Sequence, residues 1–352
     1  MRGRGDRLEK LLAERELDRI LVTDLTNVRY LTGFTGTNGA CVCGPGLRLF
    51  LTDFRYAERA AAEVEGWEPV TVGGDWLGGI AERLVGRVGF EDDHLPVRVL
   101  GKLKEKLAEG VEPVAAGGTV ERLRRVKDEG ELRAIEAASE LADDIWRWSL
   151  ERGFAGRSER DVARAAEARM RELGGDPSFP AIVAAGPNGA LPHAEPGERE
   201  IGRGELVVFD MGAKLDGYCS DGTRTYATGE PGESARGVYE VVREAQLAAL
   251  GAIEAGAGGE AVDAVARRVI EAAGHGDRFG HGLGHGVGLE VHEAPRLSPR
   301  SEDVLAPGEV VTVEPGVYLP GQLGVRIEDL VVVTEDGHRN LSGLPKDLQL
   351  VD

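Results

Sequence analysis

The chain has 352 residues, a formal net charge of −19 and three cysteines. This length suits two domains, with a core large enough to fold without disulfides or structural zinc. The strong negative charge argues against a nucleic-acid backbone or an anionic membrane surface as a partner. Because no apolar stretch of signal-peptide or transmembrane type follows the N-terminus, we expect a cytoplasmic protein with small, buried, unpaired cysteines.

The first third of the chain alternates between helical and strand-like patterns. Leucines recur at helical spacing in residues 7–17, and the helical period returns at 100–109. Short apolar runs with turn-like flanks predict strands at residues 18–24, 48–53 and 87–92. This alternation predicts a small α/β domain, in which no cluster of His, Asp and Glu forms a site.

The pattern changes near residue 120, where we place the domain boundary. A long amphipathic segment covers residues 119–151, and Gly130 is expected to divide it into two helices. A further helix is predicted at 158–173, with Ser158 as its N-cap. The chain then becomes rich in strands, except for one or two helices predicted within residues 236–273.

Two aspartates lie at the ends of neighbouring strand-like segments. An apolar run leads to Asp210, a glycine-containing stretch follows, and Asp221 precedes the next strand pattern. If the two arms are antiparallel, the two carboxylates lie side by side on one face. They then repel each other unless a positive charge lies between them. Strand-end aspartates are also common turn formers, so this pair alone does not define a site.

Histidines are concentrated in the glycine-rich segment 278–293. His281, His285 and His292 are three of only seven histidines in the chain. The His281/His285 spacing is similar to the zinc motif HExxH, but residue 282 is glycine, so the general-base glutamate of that motif is absent. The many glycines argue against a helix and favour close approach of the backbone to a ligand or a neighbouring strand.

Two glutamates occur in apolar strand-like runs, where an unpaired charge is expensive to bury. Glu314 ends one run before a Pro-Gly turn, and Arg326 and Glu328 are expected on one face of another strand by alternation. Arg326 alone cannot neutralise both glutamates, whereas a centre of two divalent ions can.

Four strings together resemble the proline-specific branch of the pita-bread metallopeptidases, the family of methionine aminopeptidase, aminopeptidase P and prolidase. They are VFDMGAKLDGYCSDGTRT, GHGLGHGVGLEVHE, EPGVYLPG and GVRIEDLVVV. FPAIVAAGPNGALPHAEP is similar to the histidine-bearing loop of that branch, and TNVRYLTGFTG with FLTDFRYAERA is similar to its N-terminal domain. The resemblance implies an α/β creatinase-like N-terminal domain (residues 1–123) followed by an α+β pita-bread catalytic domain (residues 124–352).

The resemblance also implies five metal ligands for two divalent ions: Asp210, Asp221, His285, Glu314 and Glu328. Asp221 and Glu328 are expected to bridge the ions, Asp210 to bind one, and His285 with Glu314 to bind the other. The two ions would lower the pKa of a water molecule that serves as the nucleophile. Glu314 is implied to carry a proton from this water to the leaving amine.

Five further residues have implied catalytic or substrate-binding roles. His193, His281 and His292 are expected around the scissile carbonyl, where they donate hydrogen bonds and orient the peptide. Arg326 is expected to brace the site and to hold the far end of the substrate, and Tyr318 to border the proline pocket. Plain packing and salt-bridge roles are the alternatives for Arg326 and Tyr318, and a plain loop position is the alternative for His193.

The implied reaction is hydrolysis of the bond before proline at a peptide N-terminus. Proline lacks an amide hydrogen and has a fixed φ, so it calls for a dedicated pocket. The strings FTGTNG and TDFRY favour an Xaa-Pro aminopeptidase, and an Xaa-Pro dipeptidase (prolidase) is the alternative. A noncatalytic interaction protein and a creatinase-like amidinohydrolase fit less well because all five ligand positions match. The N-terminal domain and the string GHGVGLEVHE disfavour methionine aminopeptidase.

The expected cofactors and partners follow from the same resemblance. Mixed carboxylate and imidazole ligands suit manganese, cobalt, iron or zinc. The resemblance implies manganese, with zinc or cobalt as alternatives. It further implies proline-containing peptides as substrates and a homodimer, with neither nucleic acid nor membrane as partner.

Overall fold

A computed structural model describes residues 3–351 of the chain. The chain forms two compact units, Met1–Arg124 and Arg125–Asp352. No helix in the described range is both long enough and apolar enough to cross a membrane.

The first unit is built around a six-stranded mixed sheet. Its strands are β1 (Arg19–Val22), β2 (Ala40–Gly44), β3 (Leu47–Thr52), β4 (Glu68–Thr71), β5 (Arg87–Phe90) and β6 (Glu112–Ala115). Their order in the sheet is β4-β3-β2-β1-β5-β6, with β1 antiparallel to β2 and parallel to β5. The helices of this sequence range are α1 (Arg4–Glu14), α2 (Leu25–Thr32), α3 (Ala57–Glu63), α4 (Trp76–Ala81), α5 (Val97–Lys104) and α6 (Thr119–Arg125).

Most elements predicted in this unit are confirmed. The first helix and the three predicted strands form, as α1, β1, β3 and β5. The helix predicted at 100–109 is wrong in its bounds, since α5 begins three residues earlier and ends at Lys104. Pro96 is the N-cap residue of α5, and proline disfavours helical backbone angles in the residue before it, so the helix begins after this position. As predicted, the three cysteines, Cys41, Cys43 and Cys219, are buried and unpaired.

Up to residue 351, the second unit contains four α-helices and four small sheets. Its helices are α7 (Glu129–Glu151), α8 (Glu159–Glu172), α9 (Glu233–Leu250) and α10 (Gly259–Ala272). The strands before α9 are β7 (Asp176–Pro177), β8 (Ile182–Ala185), β9 (Leu206–Asp210), β10 (Ala213–Leu215), β11 (Tyr218–Cys219) and β12 (Thr223–Ala227). Those after α10 are β13 (Gly284–Gly286), β14 (Glu293–Leu297), β15 (Val310–Val313), β16 (Gly316–Leu319), β17 (Leu323–Arg326), β18 (Asp329–Thr334) and β19 (Gly337–Asn340).

The second unit has two halves of similar construction. In the first half, α7 and α8 share an apolar core with the sheet β12-β9-β8, through residues such as Ile145, Val183 and Phe209. In the second half, α9 and α10 share a core with the sheet β14-β13-β15-β18-β19, through residues such as Val242 and Val311. Each helix pair therefore buries its apolar face against one sheet.

One helix boundary differs from the prediction. The segment 119–151 does divide into two helices, α6 and α7, but the break precedes Gly130. Asp128 caps α7 by accepting a hydrogen bond from the Glu131 amide, and the Glu131 carboxylate accepts one from the Asp128 amide, each at 3.0 Å. Because this capping box sets the start of the helix, Gly130 lies in its first turn. The predicted cap is confirmed at Ser158, whose hydroxyl accepts from the Asp161 amide at 3.0 Å.

Candidate active site

A cavity of about 860 Å³ opens in the second unit. Its wall contains every residue that the sequence analysis assigns to the site except Tyr318: His193, Asp210, Asp221, His281, His285, His292, Glu314, Arg326 and Glu328. These residues come from both halves of the unit. The sequence strings that resemble the family motifs therefore meet at one location.

The two aspartates come from a pair of antiparallel strands, as predicted. β9 ends at Asp210, which faces Thr223 at the start of β12, and Asp221 precedes that strand by two residues. Gly212 makes the close approach of the two arms possible, because a Cβ there would lie 1.9 Å from the Ser220 carbonyl oxygen. Both carboxylates are buried.

The histidine-rich segment is extended, as its glycines predict. Gly284 and Gly286 flank His285 in β13, and a Cβ on either would lie 2.0 Å and 2.2 Å, respectively, from carbonyl oxygens of neighbouring strands. The His285 Nδ1 lies 3.1 Å from the Gly286 carbonyl oxygen, which favours a proton on this nitrogen. Its Nε2 is then a free acceptor, 3.6 Å from Asp221 Oδ2 and 3.4 Å from Glu314 Oε1.

The two glutamates reach the cavity from different positions. Glu314 directly follows β15, whereas Glu328 lies between β17 and β18. The expectation that Arg326 and Glu328 share one strand is wrong, because β17 ends at Arg326. Thr223 joins their side chains instead: its Oγ1 accepts from Arg326 Nε at 3.0 Å and donates to Glu328 Oε2 at 2.7 Å.

Buried negative charge at this site exceeds the positive charge of the side chains. The Arg326 Nη2 donates to Asp210 Oδ2 at 2.5 Å, but Asp210 Oδ1 and Glu328 Oε1 are buried without a hydrogen-bond partner in the described chain. Burial, and then neighbouring carboxylates, raise the pKa of Asp221 and of Glu328 well above their usual values. Burial likewise raises the pKa of Glu314 to about 7.

These residues fit divalent cations. Asp221, His285 and Glu328 each offer one ligand atom, and these atoms all lie within 4.8 Å of one another. Asp210 and Glu314 border this group, and the unpartnered oxygen of Asp210 is available for a further ligand bond. Burial lowers the pKa of His285 to about 3, so its imidazole is neutral, the form that binds metals. The set of oxygen and imidazole donors suits first-row transition metals.

The three remaining histidines fall into two groups. His281 uses both ring nitrogens: Nδ1 lies 2.8 Å from the Gly282 carbonyl oxygen and Nε2 lies 2.9 Å from the Tyr318 hydroxyl. By contrast, the rings of His193 and His292 face the cavity and form no hydrogen bond within residues 3–351. His193 and His292 are therefore the histidines available to a ligand, whereas the contacts of His281 favour a bracing role over the predicted donation to the scissile carbonyl.

Tyr318 lies behind the wall of the cavity. Its hydroxyl accepts from Arg326 Nη1 at 2.9 Å and contacts His281, and the side chain is buried. Arg326 in turn donates to Asp210, Thr223, Tyr318 and the Pro192 carbonyl oxygen. These contacts favour a bracing role for Arg326 over a hold on the far end of the substrate.

Several residues of the site were not identified from sequence. Arg296 lines the cavity, and its guanidinium has no carboxylate partner in the part of the chain that is described. Thr312 donates to Glu314 Oε1 at 3.2 Å and accepts from the His285 amide at 3.0 Å. An apolar wall is added by Phe179, Pro180, Ile182 and Val291. Of these residues, only Arg296 could have been found from the sequence, because it lies four residues after His292.

Comparisons with known proteins agree with this geometry. Residues 133–335 match metallopeptidase family M24, and residues 4–126 match the creatinase/prolidase N-terminal domain. The chain is 37% identical to an Xaa-Pro dipeptidase of Pyrococcus furiosus over 353 residues, covering 99% of this chain and 100% of the relative.

Solved structures extend this likeness. An Xaa-Pro dipeptidase from Bacillus anthracis has a TM-score of 0.96 at 40% identity, with 99% of each chain covered. An X-Pro aminopeptidase from Thermotoga maritima has a TM-score of 0.90 at 34% identity, covering 96% of this chain and 99% of that one. The predicted combination of a creatinase-like N-terminal domain and a pita-bread catalytic domain is confirmed. Since the family match covers more than half of a chain whose cavity holds the expected donor set, the protein belongs to metallopeptidase family M24.

Proposed function

We propose that the protein is an Xaa-Pro dipeptidase, which hydrolyses dipeptides with proline as the second residue. The observation that carries this proposal is Arg296, a cation in the cavity wall without a carboxylate partner in the described chain. A dipeptide differs from a longer peptide in having its free carboxylate on the proline itself. An unpaired guanidinium in the cavity is a suitable partner for that group.

The other cavity arginine is a poorer partner for the substrate. Arg326 is 4% exposed, and its donors already contact Asp210, Thr223, Tyr318 and Pro192. A longer peptide would present a neutral amide to Arg296, and the charge-assisted pair would be lost. This difference favours the dipeptidase over the aminopeptidase, which the sequence strings ranked first. The Pyrococcus and Bacillus relatives are both named Xaa-Pro dipeptidase, which also supports the dipeptidase over the aminopeptidase.

The proposed metal ligands are Asp210, Asp221, His285, Glu314 and Glu328, for two divalent cations. The unpartnered oxygens of Asp210 and Glu328 support this assignment, as does the tight group of Asp221, His285 and Glu328. When bound, such cations polarise the scissile carbonyl and make a water molecule a strong nucleophile near neutral pH.

The side chains around this centre have separate proposed tasks. Glu314 accepts a proton as the nucleophile attacks and returns it to the proline nitrogen, which must be protonated to leave. His193 and His292, whose ring nitrogens are free, donate hydrogen bonds to the carbonyl oxygen as its negative charge develops. His281 and Tyr318 support Arg326 and through it the orientation of Asp210.

Other expectations from the sequence stay predictions. They are the domain boundary between residues 123 and 124, manganese as the native ion with zinc or cobalt as alternatives, a homodimer, and a cytoplasmic location. The proposed partners are proline-containing dipeptides.

The test is a comparison of three substrates that share one N-terminal residue. Metal-reconstituted enzyme is assayed on an Xaa-Pro dipeptide, on its C-terminal amide, and on an Xaa-Pro-Yaa tripeptide. We expect kcat/KM for the dipeptide to exceed the other two by at least about tenfold, because only the dipeptide pairs with Arg296. Equal cleavage of the tripeptide would instead identify an Xaa-Pro aminopeptidase.

Two arginine variants give the matched comparison. Arg296→Met removes the proposed carboxylate partner, and Arg300→Met removes the same charge from an exposed position that does not line the cavity. We expect Arg296→Met to raise KM for the dipeptide and to abolish its advantage over the amide. Arg300→Met should behave as wild type. An unchanged dipeptide preference in Arg296→Met would contradict the assignment of this arginine.

A further inference from the structure

The segment that carries His281 has little regular backbone pairing: its Leu283 carbonyl oxygen accepts from the Glu314 amide at 2.8 Å. Residues 279–283 run between a short 3₁₀ turn and β13, outside any helix or strand. The Arg267 guanidinium, on α10, donates to the Phe279 carbonyl oxygen at 2.8 Å and to the His281 carbonyl oxygen at 2.9 Å. The Asp263 Oδ1, one turn earlier on α10, accepts from the Leu283 amide at 3.0 Å. Two helical side chains thus hold three alternating backbone groups of the segment.

The two helical residues also hold each other. Arg267 Nε and Nη2 both donate to the Asp263 carboxylate at 2.9 Å, in a two-pronged pair that fixes the guanidinium plane. Asp263 is 1% exposed, and the guanidinium carbon lies 4.3 Å from the centre of the Phe279 ring. Neither residue lines the cavity. The Asp263 carboxylate is buried and needs a partner of opposite charge, which Arg267 provides, and each of the two residues also hydrogen-bonds the loop backbone.

The hydrogen bonds continue from this segment into the site. His281 Nε2 lies 2.9 Å from the Tyr318 hydroxyl, which accepts from Arg326 Nη1 at 2.9 Å. Arg326 Nη2 donates to Asp210. One connected path therefore joins α10 to a proposed metal ligand. A shift of His281 would move the hydrogen bond that orients the Tyr318 hydroxyl. Because the same hydroxyl accepts from Arg326, the guanidinium of Arg326 would then move as well.

We infer that Asp263 and Arg267 are positioning residues of this enzyme, which fix His281 and through it Tyr318, Arg326 and Asp210. The inference rests on the proposed function for its kinetic consequences, although the positional claim stands on these contacts alone. A loop with so little backbone pairing needs support from a rigid element to keep its side chain within a fraction of an ångström. Helix α10 supplies that support by way of the pair.

The test compares three variants with the wild type at saturating metal. Arg267→Leu removes all four donor contacts, Asp263→Asn keeps an acceptor for the Leu283 amide but removes the charge, and Arg267→Lys keeps the charge without the planar fork. We expect kcat to fall by about a hundredfold in Arg267→Leu and by about tenfold in each of the other two. KM should change by less than about threefold, because none of these residues touches the substrate.

The control is a helical ion pair of the same layer that contacts no loop backbone. Arg243 pairs with Glu240 on α9, and its guanidinium contacts only side chains. Arg243→Leu should leave kcat unchanged. If Arg267→Leu and Asp263→Asn lose thermal stability but keep the kcat of the wild type at a temperature where all remain folded, the pair is merely structural and the inference is overturned.

A second measurement separates this inference from the proposed function. In zinc-loaded protein with ¹⁵N-labelled histidine, the ring signals of His281 are assigned with His281→Gln and then compared among variants. We expect them to shift in Arg267→Leu and Asp263→Asn but not in Arg243→Leu. Unmoved His281 signals would contradict the positioning role. A wild type that cleaves no prolyl peptide would refute the proposed function, yet these signals would still decide the role of the pair.

Discussion

The Arg326 guanidinium and the Asp210 carboxylate form a buried ion pair, with 2.5 Å between Nη2 and Oδ2. The pair satisfies one oxygen of Asp210 and leaves the other unpartnered. Arg326 thus neutralises part of the charge of the site without occupying the oxygen that is available for a cation. The side chains alone leave the carboxylates under-neutralised, and cations bound there would complete the charge balance.

The first prediction concerns Arg326→Gln. In metal-free protein we expect a loss of about 3–5 kcal/mol of stability, because the substitution leaves a buried carboxylate without its partner. The loss should be smaller in metal-loaded protein, since cations then neutralise Asp210. Thermal unfolding with and without zinc measures both values. Arg339→Gln, at an exposed pair with Glu136, is the control and should cost less than about 1 kcal/mol. An equal loss with and without zinc would contradict the argument.

The second prediction concerns Glu314. Glu314→Ala should abolish turnover and weaken the binding of one metal ion, because this side chain is proposed both as ligand and as proton carrier. Turnover and metal content after dialysis are the two measurements. Glu314→Gln keeps the shape of the side chain and an oxygen ligand, so it should retain more metal than Glu314→Ala while remaining inactive. Full activity in either variant would refute the two-metal assignment.

The third prediction separates substrate contacts from metal ligands. His292→Ala should lower kcat by about a hundredfold, because it removes one donor to the developing oxyanion, while metal content stays at the wild-type value. His275→Ala, at a histidine outside the cavity wall, is the control and should leave both values unchanged. Loss of metal in His292→Ala would mean that this imidazole is a ligand.

The fourth prediction is a pH dependence of the metal-free protein. Burial raises the pKa of Glu314 from its usual 4.5 to about 7. The folded state therefore holds a proton that the unfolded state releases in this window. The stabilising contribution of the protonated group is complete below about pH 4.5 and is lost as the pH rises through about 7.

Chemical denaturation of chelated protein at about pH 5 and about pH 8 measures this effect. We expect the wild type to lose more stability between the two pH values than Glu314→Gln, which cannot titrate there. With metal bound, the difference should disappear, because a ligating carboxylate has already lost its proton. An equal loss of stability between the two pH values in chelated wild type and chelated Glu314→Gln would show that Glu314 does not titrate in this range.

The sequence predicts the surroundings of a residue best where few environments suit that residue type. Carboxylates such as Asp210 and Glu314 at the ends of apolar runs had to be compensated, and the structure brings them together in one cavity. Glycines 284 and 286 had to allow a close approach, and a Cβ at either position would meet a carbonyl oxygen. In both cases a local pattern limits the environment regardless of the remaining fold.

The sequence was less informative where a role depends on distant partners. Arg296 and Arg326 look alike in sequence, and only the structure distinguishes the braced guanidinium from the one without a carboxylate partner among residues 3–351. The same holds for Asp263 and Arg267. Their spacing is that of an ordinary helical ion pair, and only the structure shows that both also hydrogen-bond the backbone of residues 279–283. The break before α7 differs from the prediction because the capping box of Asp128 and Glu131, and not Gly130, sets the start of the helix.

The last prediction uses two glycines of the histidine-rich segment. A Cβ at position 284 would lie 2.0 Å from the Thr312 carbonyl oxygen, and backbone cannot move aside as a flexible side chain can. At position 280 the Cβ would meet no atom within 4 Å. We therefore expect Gly284→Ala to cost about 1–3 kcal/mol and to weaken metal binding, because β13 must shift and takes His285 with it. Gly280→Ala should be neutral in both respects. Denaturant unfolding and metal content decide the matter: if the two alanines behave alike, close strand packing is not what requires glycine beside His285.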